Sequence, residues 1–268
     1  GGNILLPTRR FGRPGASLLG ATAIITPLTL VPRLVGFGRW FAQNAWIGPN
    51  EVGAAYSTAN TVPNVLFEVA AGGALAGAVI PLLAAPIAAH LRKDVDRSAS
   101  ALLTWTVLVL TPVAALTWIL APWIVGLLLD GSRAQDPAQV DLASTLLQMF
   151  AIQIPLYGVG VVLTGVLQAH RRFVAPALAP LLSSLVVLGS YYAFGLLAPS
   201  DPAPGELTRQ AVAWLGWGTT AGVVVLSLPL LVPVARAGVR LRPTLHFPDG
   251  VALRVMARAL AVLGPPVA

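Results

Sequence analysis

The run from Leu18 to Phe41 is apolar, contains Arg33 and Arg39, and has no acidic residue. About 20 helical residues cross the ~30 Å hydrocarbon core of a bilayer, so a run of this length can span one. An arginine at that depth costs about 2.5–3.5 kcal/mol on insertion scales. The cost is tolerated where the guanidinium faces a water-filled cavity, meets an anion, or snorkels to an interface. The first two routes predict a membrane protein that handles a negatively charged substrate. For Arg39, which precedes Trp40, snorkelling is the competing reading.

The rest of the chain fits a polytopic membrane protein. Of 268 residues, 56% are hydrophobic and 10% charged, whereas soluble domains are about 25% charged. Apolar periodicity and length give six expected spans, near 17–47, 54–89, 101–129, 143–168, 174–197 and 211–237. The expected organisation is a cytoplasmic N-terminal segment (1–16), a six-span lobe (17–237), a cytoplasmic linker (238–250) and the truncated start of a second lobe (251–268). The chain is therefore expected to be a piece of a longer protein. It contains no cysteine, which excludes disulfides, thiol catalysis and cysteine-ligated metal.

Charge placement orients the spans. Arg9, Arg10 and Arg13 precede span one; Arg92, Lys93 and Arg97 follow span two; Arg171 and Arg172 follow span four; Arg236, Arg240 and Arg242 follow span six. The intervening loops carry Glu51, Asp130, Asp136, Asp141, Asp201 and Glu206, with Arg133 and Arg209 as their bases. The alternation predicts a cytoplasmic N-terminus. It also accounts for the net charge of +7 without nucleic acid as a partner.

Span two carries the other candidate site. Asn60, Asn64 and Glu68 recur at i, i+4 and i+8, so they line one helix face, and Ser57 extends the row by a turn. A carboxylate within a span is a functional-site hypothesis by default, and Glu68 is a candidate counter-ion for Arg33 or Arg39. Helix packing is the competing reading for Asn60 and Asn64. Arg33, Gly36, Phe37, Trp40 and Asn44 share a face of span one, with Arg39 about 120° away. Gln148, Gln153 and Tyr157 are further cavity candidates. His90, His170 and His246 are scattered at span ends and do not form a metal-ligand pattern. No phosphate-cradling Gly-rich loop, nucleophile elbow or zinc-binding HExxH is present. Nothing calls for a cofactor, and a transporter is expected in preference to an enzyme.

Three stretches carry a family resemblance. Pro32-Arg-Leu-Val-Gly-Phe-Gly-Arg39 resembles the first-helix signature Ser-Arg-x-x-Gly-Phe-x-Arg of the MurJ (MviN) lipid II flippases. Thr58-Ala-Asn-Thr-Val-Pro-Asn-Val-Leu-Phe-Glu68, with Val79-Ile-Pro-Leu-Leu83, is similar to the second helix of the actinobacterial branch. Gly165-Val-Leu-Gln-Ala-His-Arg-Arg-Phe173, then Pro176-Ala-Leu-Ala-Pro180, resembles the link between helices four and five. The resemblance implies an all-α membrane fold of the multidrug/oligosaccharidyl-lipid/polysaccharide exporter (MATE-like) superfamily. In that fold two six-helix lobes face each other across a cavity, and this chain covers the N-terminal lobe and the start of a seventh helix. It implies translocation of undecaprenyl-diphosphate-linked peptidoglycan precursor by alternating access. Partners would be that lipid-linked precursor and membrane lipids, with cell-wall synthesis proteins as further candidates. By motif position Arg33 and Arg39 match the family's cavity arginines. The chain departs from the family at Phe67-Glu68, where many relatives have Arg-Arg, at Ala54, where an acidic residue is usual, and at Ser184, where Asn is common. Polysaccharide-unit or drug export within the superfamily, and a non-transporting scaffold role in wall assembly, are the alternative functions.

Overall fold

A computed structural model describes residues 15–69, 76–129 and 136–248. The expected start of a seventh span, 251–268, lies outside these residues. The described chain is helical, with α1 Gly15–Trp46, α2 Glu51–Val69, α3 Ala76–Ala88, α4 Arg92–Ile119 and α5 Ala121–Leu128. After these come α6 Pro137–Ala151, α7 Gln153–Ala169, α8 Val174–Leu197, α9 Arg209–Ser227 and α10 Leu231–Arg236. Among the described residues, four stretches are long and apolar enough to cross a membrane: 92–119, 137–169, 174–197 and 209–236. With its 32 residues, α1 is about 48 Å long at 1.5 Å per residue. The second expected span is made of α2 and α3.

Polar residues define the helix starts. Asp136 caps α6, accepting from the Ala138 amide at 3.0 Å, with Pro137 in the first turn. Thr208 caps α9 through the Ala211 amide at 3.2 Å. Prolines define the interruptions. The α4/α5 break at Leu120 precedes Pro122, the α6/α7 break at Ile152 precedes Pro155, and Pro229 sits in the turn between α9 and α10. Each ring removes an amide donor and crowds the carbonyl four residues earlier. At the α6/α7 break the lost regularity is bridged by side chains: Gln153 Nε2 donates to Thr220 Oγ1 at 3.1 Å, and Thr220 Oγ1 donates to the Met149 carbonyl at 2.9 Å.

The core has two layers along the bundle. One gathers Ile47, Tyr56, Leu146, Phe150, Phe194 and Leu215, and the other Val79, Leu83, Leu102, Leu163, Leu167 and Val234. Leu108, Trp118, Leu185, Leu196 and Val232 are exposed. A surface this apolar suits lipid contact and not water.

The tightest helix pairing joins α8 to α9. Gly218 and Gly222, four apart, lie against Ser190, Val187 and Ser183, and a methyl group at either glycine would collide with those residues. Small residues at this spacing let two backbones approach closely in a membrane. Ser190 Oγ donates to the Trp214 carbonyl at 2.6 Å across the same contact.

The two ends of the bundle differ in charge. Asn50 reaches Asp201 at 3.3 Å, and Gln139 donates to the Glu51 carbonyl at 3.1 Å, which gathers the acidic loops at one end. His90, Arg92, Asp96 and His170 meet around one small hollow with residues 237–239 at the other. The α1–α2 turn at the acidic end places Gly48 at φ +93°, a conformation that favours glycine.

Beyond Gly238 the chain runs extended alongside α4. The Arg240 amide donates to Asp96 Oδ1 at 3.0 Å, the Arg242 amide to Ser100 Oγ at 3.0 Å, and the Thr244 amide to Thr104 Oγ1 at 3.2 Å. Trp105 Nε1 closes the series on the Leu245 carbonyl at 3.0 Å. The register follows from geometry. Four helical residues rise about 6.0 Å, and two extended residues advance about 6.6–6.8 Å, so every fourth α4 side chain meets every second strap amide. The expected linker 238–250 is thus a strap over its described part. The same contacts explain why α4 starts nine residues before the apolar run at Ala101: its first turns stand outside the apolar zone and carry the strap.

Candidate functional site

The site lies where α1, α2, α7 and α8 meet. Helix α1 packs on α8 and α2 packs on α6, so long polar side chains bridge the space between α1 and α2. Gln43 Nε2, one turn after Arg39, donates to Ser57 Oγ at 3.0 Å. Tyr157 on α7 donates to Asn64 Oδ1 at 3.3 Å and lies against Phe67, with ring centroids 4.6 Å apart. Asn60, half-buried, sits on the same α2 face between Ser57 and Asn64.

Arg39 points into this cluster. Its principal electrostatic neighbours are the hydroxyls of Tyr191, Tyr56 and Tyr157, and Tyr191 is within side-chain hydrogen-bonding reach. The guanidinium is half-buried, and among the described residues its principal neighbours are neutral acceptors and not carboxylates. Behind it Tyr56 and Tyr191 are each 1% exposed, and their hydroxyls lie 2.8 Å apart. Tyr56 also meets Thr219 Oγ1 at 2.9 Å. An apolar recess of about 240 Å³ begins at Phe67 and Tyr157 and runs between α7 and α8 past Thr164 to Gln168 and Pro176.

The structure brings together some of the sequence candidates and leaves others apart. Arg39 and Asn64 converge with Tyr157, and Asn60 shares the α2 face of Asn64 by register alone. Arg33 is exposed and lies outside the cluster. Glu68 is also exposed and is not among the principal neighbours of Arg39, so tyrosines occupy the place proposed for a counter-ion. Gln153 is fully buried against Thr220 and Gln148 reaches the Trp118 carbonyl at 3.4 Å; both serve packing. Among the described residues no group of three or more metal-ligating side chains forms. Sequence reasoning missed Tyr56, Tyr191 and Thr219. The Gly218-x-x-x-Gly222 spacing around Thr219 was the available signal, because it brings α9 close to α8 at the level of Tyr191.

Donors dominate this surface. Arg39 contributes its guanidinium fork, and Asn64, whose oxygen accepts from Tyr157, presents an amide NH₂ with no hydrogen-bond acceptor among the described residues. The arrangement suits a phosphate-like anion, for which the planar guanidinium fork is well matched. Membrane-length helices with an apolar exterior and this polar cluster around Arg39 define a multi-pass helical membrane protein with an anion-suited interior site.

Comparison with known proteins specifies the class further. A family model described as lipid II flippase MurJ matches residues 44–264. The chain belongs to the lipid II flippase MurJ family. It is 29% identical over 254 residues to a probable lipid II flippase MurJ of Rhizobium meliloti (strain 1021), covering 92% of this chain and 45% of that protein. It is 30% identical over 242 residues to a probable lipid II flippase MurJ of Synechocystis, covering 88% and 44%. Among solved structures, a lipid II flippase MurJ in an inward closed conformation superposes with a TM-score of 0.66 at 18% identity, over 90% of this chain and 48% of that one. That likeness shows that the chain shares part of that all-helical fold. The chain spans about half the length of the relatives it matches.

Proposed function

We propose that this chain is the N-terminal lobe of a flippase that moves an undecaprenyl-diphosphate-linked peptidoglycan precursor across the bacterial cytoplasmic membrane. Its N-terminus would be cytoplasmic, residues 17–237 would form the lobe, and 251–268 would begin a second one. The observation that carries the reading is Arg39: a guanidinium within the membrane-spanning helices whose principal neighbours among the described residues are neutral tyrosine hydroxyls. Such a charge lowers the cost of desolvating a diphosphate, and alternating access would then expose the bound head group to the other side. The apolar recess beside Tyr157 suits an amphiphilic ligand, with the anion at the polar cluster and apolar surface next to it. Asn60 and Asn64 would supply hydrogen bonds to the head group. Arg33 and Glu68 would act from the exposed face, where a second lobe would stand. Cell-wall synthesis proteins remain candidate partners.

The test is lipid II translocation by the full-length protein in proteoliposomes. Arg39→Ala is expected to lower the initial rate at least tenfold, and Arg39→Lys, which keeps the charge but loses the fork, to lower it less. Wild-type rates for Arg39→Ala would overturn the role of this arginine. Equal transport of unrelated cationic drugs would favour a drug exporter of the same superfamily.

A further inference from the structure

Proton bookkeeping in the buried cluster gives its hydrogen bonds a direction. Thr219 Oγ1 donates to the Leu215 carbonyl at 2.8 Å, and a carbonyl only accepts. The single hydroxyl proton of Thr219 is therefore used. Its contact with Tyr56, at 2.9 Å, must take the Tyr56 proton. That leaves Tyr56 as the acceptor at its 2.8 Å contact with Tyr191, which takes the Tyr191 proton in turn. The Tyr191 oxygen is left with lone pairs only, and it faces Arg39, which only donates.

We infer that Thr219, Tyr56 and Tyr191 form a one-way hydrogen-bond relay, running from a backbone carbonyl of α9 to the guanidinium of Arg39, that positions this arginine for an anionic ligand. They are positioning residues for the reaction proposed above, and the inference rests on that reading. All three side chains are about 1% exposed, so water does not compete for their protons. The relay fixes the guanidinium plane from behind through neutral oxygens. It therefore orients the group without neutralising it, which a carboxylate in the same place would do. One face of the fork is committed to Tyr191, and the remaining N–H groups stay available. The close α8–α9 approach at Gly218 and Gly222 keeps Thr219 within reach of Tyr56.

The test measures binding of farnesyl diphosphate to the purified full-length protein by titration calorimetry, with thermal melting of each variant as a folding check. Thr219→Val, nearly isosteric but without the hydroxyl, frees Tyr56 to turn its proton toward Tyr191 and so reverses the chain. It is expected to weaken binding about fivefold, and Tyr191→Phe at least as much. Thr219→Ser, which keeps the hydroxyl, should stay within twofold of wild type. In an Arg39→Ala background Thr219→Val should cause no further loss, because the relay acts only through Arg39. Wild-type binding by Thr219→Val and Tyr191→Phe, with Arg39→Ala weakened, would overturn the relay and leave the proposed function standing. An equal loss on adding Thr219→Val to Arg39→Ala would also overturn it, because the effect would then be one of packing. Wild-type binding by Arg39→Ala would remove the anion-site reading on which the relay rests.

Discussion

At the scale of single residues, the site depends on what surrounds a charge more than on how many charges there are. Asn64 shows this. Its oxygen accepts from Tyr157, and Tyr157 in turn neighbours Arg39. Replacing Asn64 by Asp would place a negative charge across the cluster from the guanidinium. At an effective dielectric of about 20 and a separation of about 10 Å, the repulsion of a bound anion is about 1–2 kcal/mol. Asn64→Asp is expected to weaken farnesyl diphosphate binding about tenfold, and Asn64→Ala much less, by the same titration. A larger loss in the Ala variant would mean that Asn64 acts through its own hydrogen bonds. The sequence marked Arg39, Asn60 and Asn64 because charge and amides are rare inside spans and stand out. It did not rank Arg39 above Arg33, because rank depends on what faces each arginine. The facing groups are tyrosines on α2, α7 and α8, up to 152 positions away in the chain.

Among elements, α8 and α9 form the most intimate pair, and glycine makes their contact possible. A methyl at Gly222 would press into Val187 and the Ser183 carbonyl, whereas a methyl at Gly189, on α8, would meet open space. Gly222→Ala is expected to destabilise the lobe by about 1–3 kcal/mol, the usual range for overpacking, while Gly189→Ala should be near neutral or slightly stabilising through better helix propensity. Thermal unfolding in detergent, comparing the two variants, checks the contrast; equal melting temperatures would contradict the close approach. Hydropathy located the fifth span to the residue at Val174 and Leu197, because its apolar run and its helix coincide. It misplaced the start of α4, because hydropathy reads lipid contact and the first turns of α4 are polar and carry the strap. The helix breaks at Leu120 and Ile152 were foreshadowed by Pro122 and Pro155. Pro63, Pro112 and Pro180, by contrast, lie inside continuous helices, where packing from neighbouring helices compensates the missing donor.

At the scale of the whole molecule, the separation of acidic and basic loops onto opposite ends is the main determinant of orientation. The natural absence of cysteine makes this directly measurable. In the full-length protein in intact cells, a cysteine replacing Asp201 is expected to react with a membrane-impermeant maleimide. One replacing Lys93 should react only after permeabilisation; the reverse pattern would invert the proposed topology. The fold class was legible because the bilayer leaves helices and closed barrels as the only spanning solutions. The interhelix geometry was not, because within the lobe it is set by shape at small residues and by polar contacts that no hydropathy window registers.

The strap along α4 has a mechanical corollary. Its amides are clipped at fixed intervals to Asp96, Ser100 and Thr104, so the described chain parts from α4 at a set point about 18 Å along a rigid rod, not from a loose tether at the bundle's end. Any tilt of α4 is thereby handed on to whatever follows Pro248 with little slack, as a crank hands its angle to a shaft.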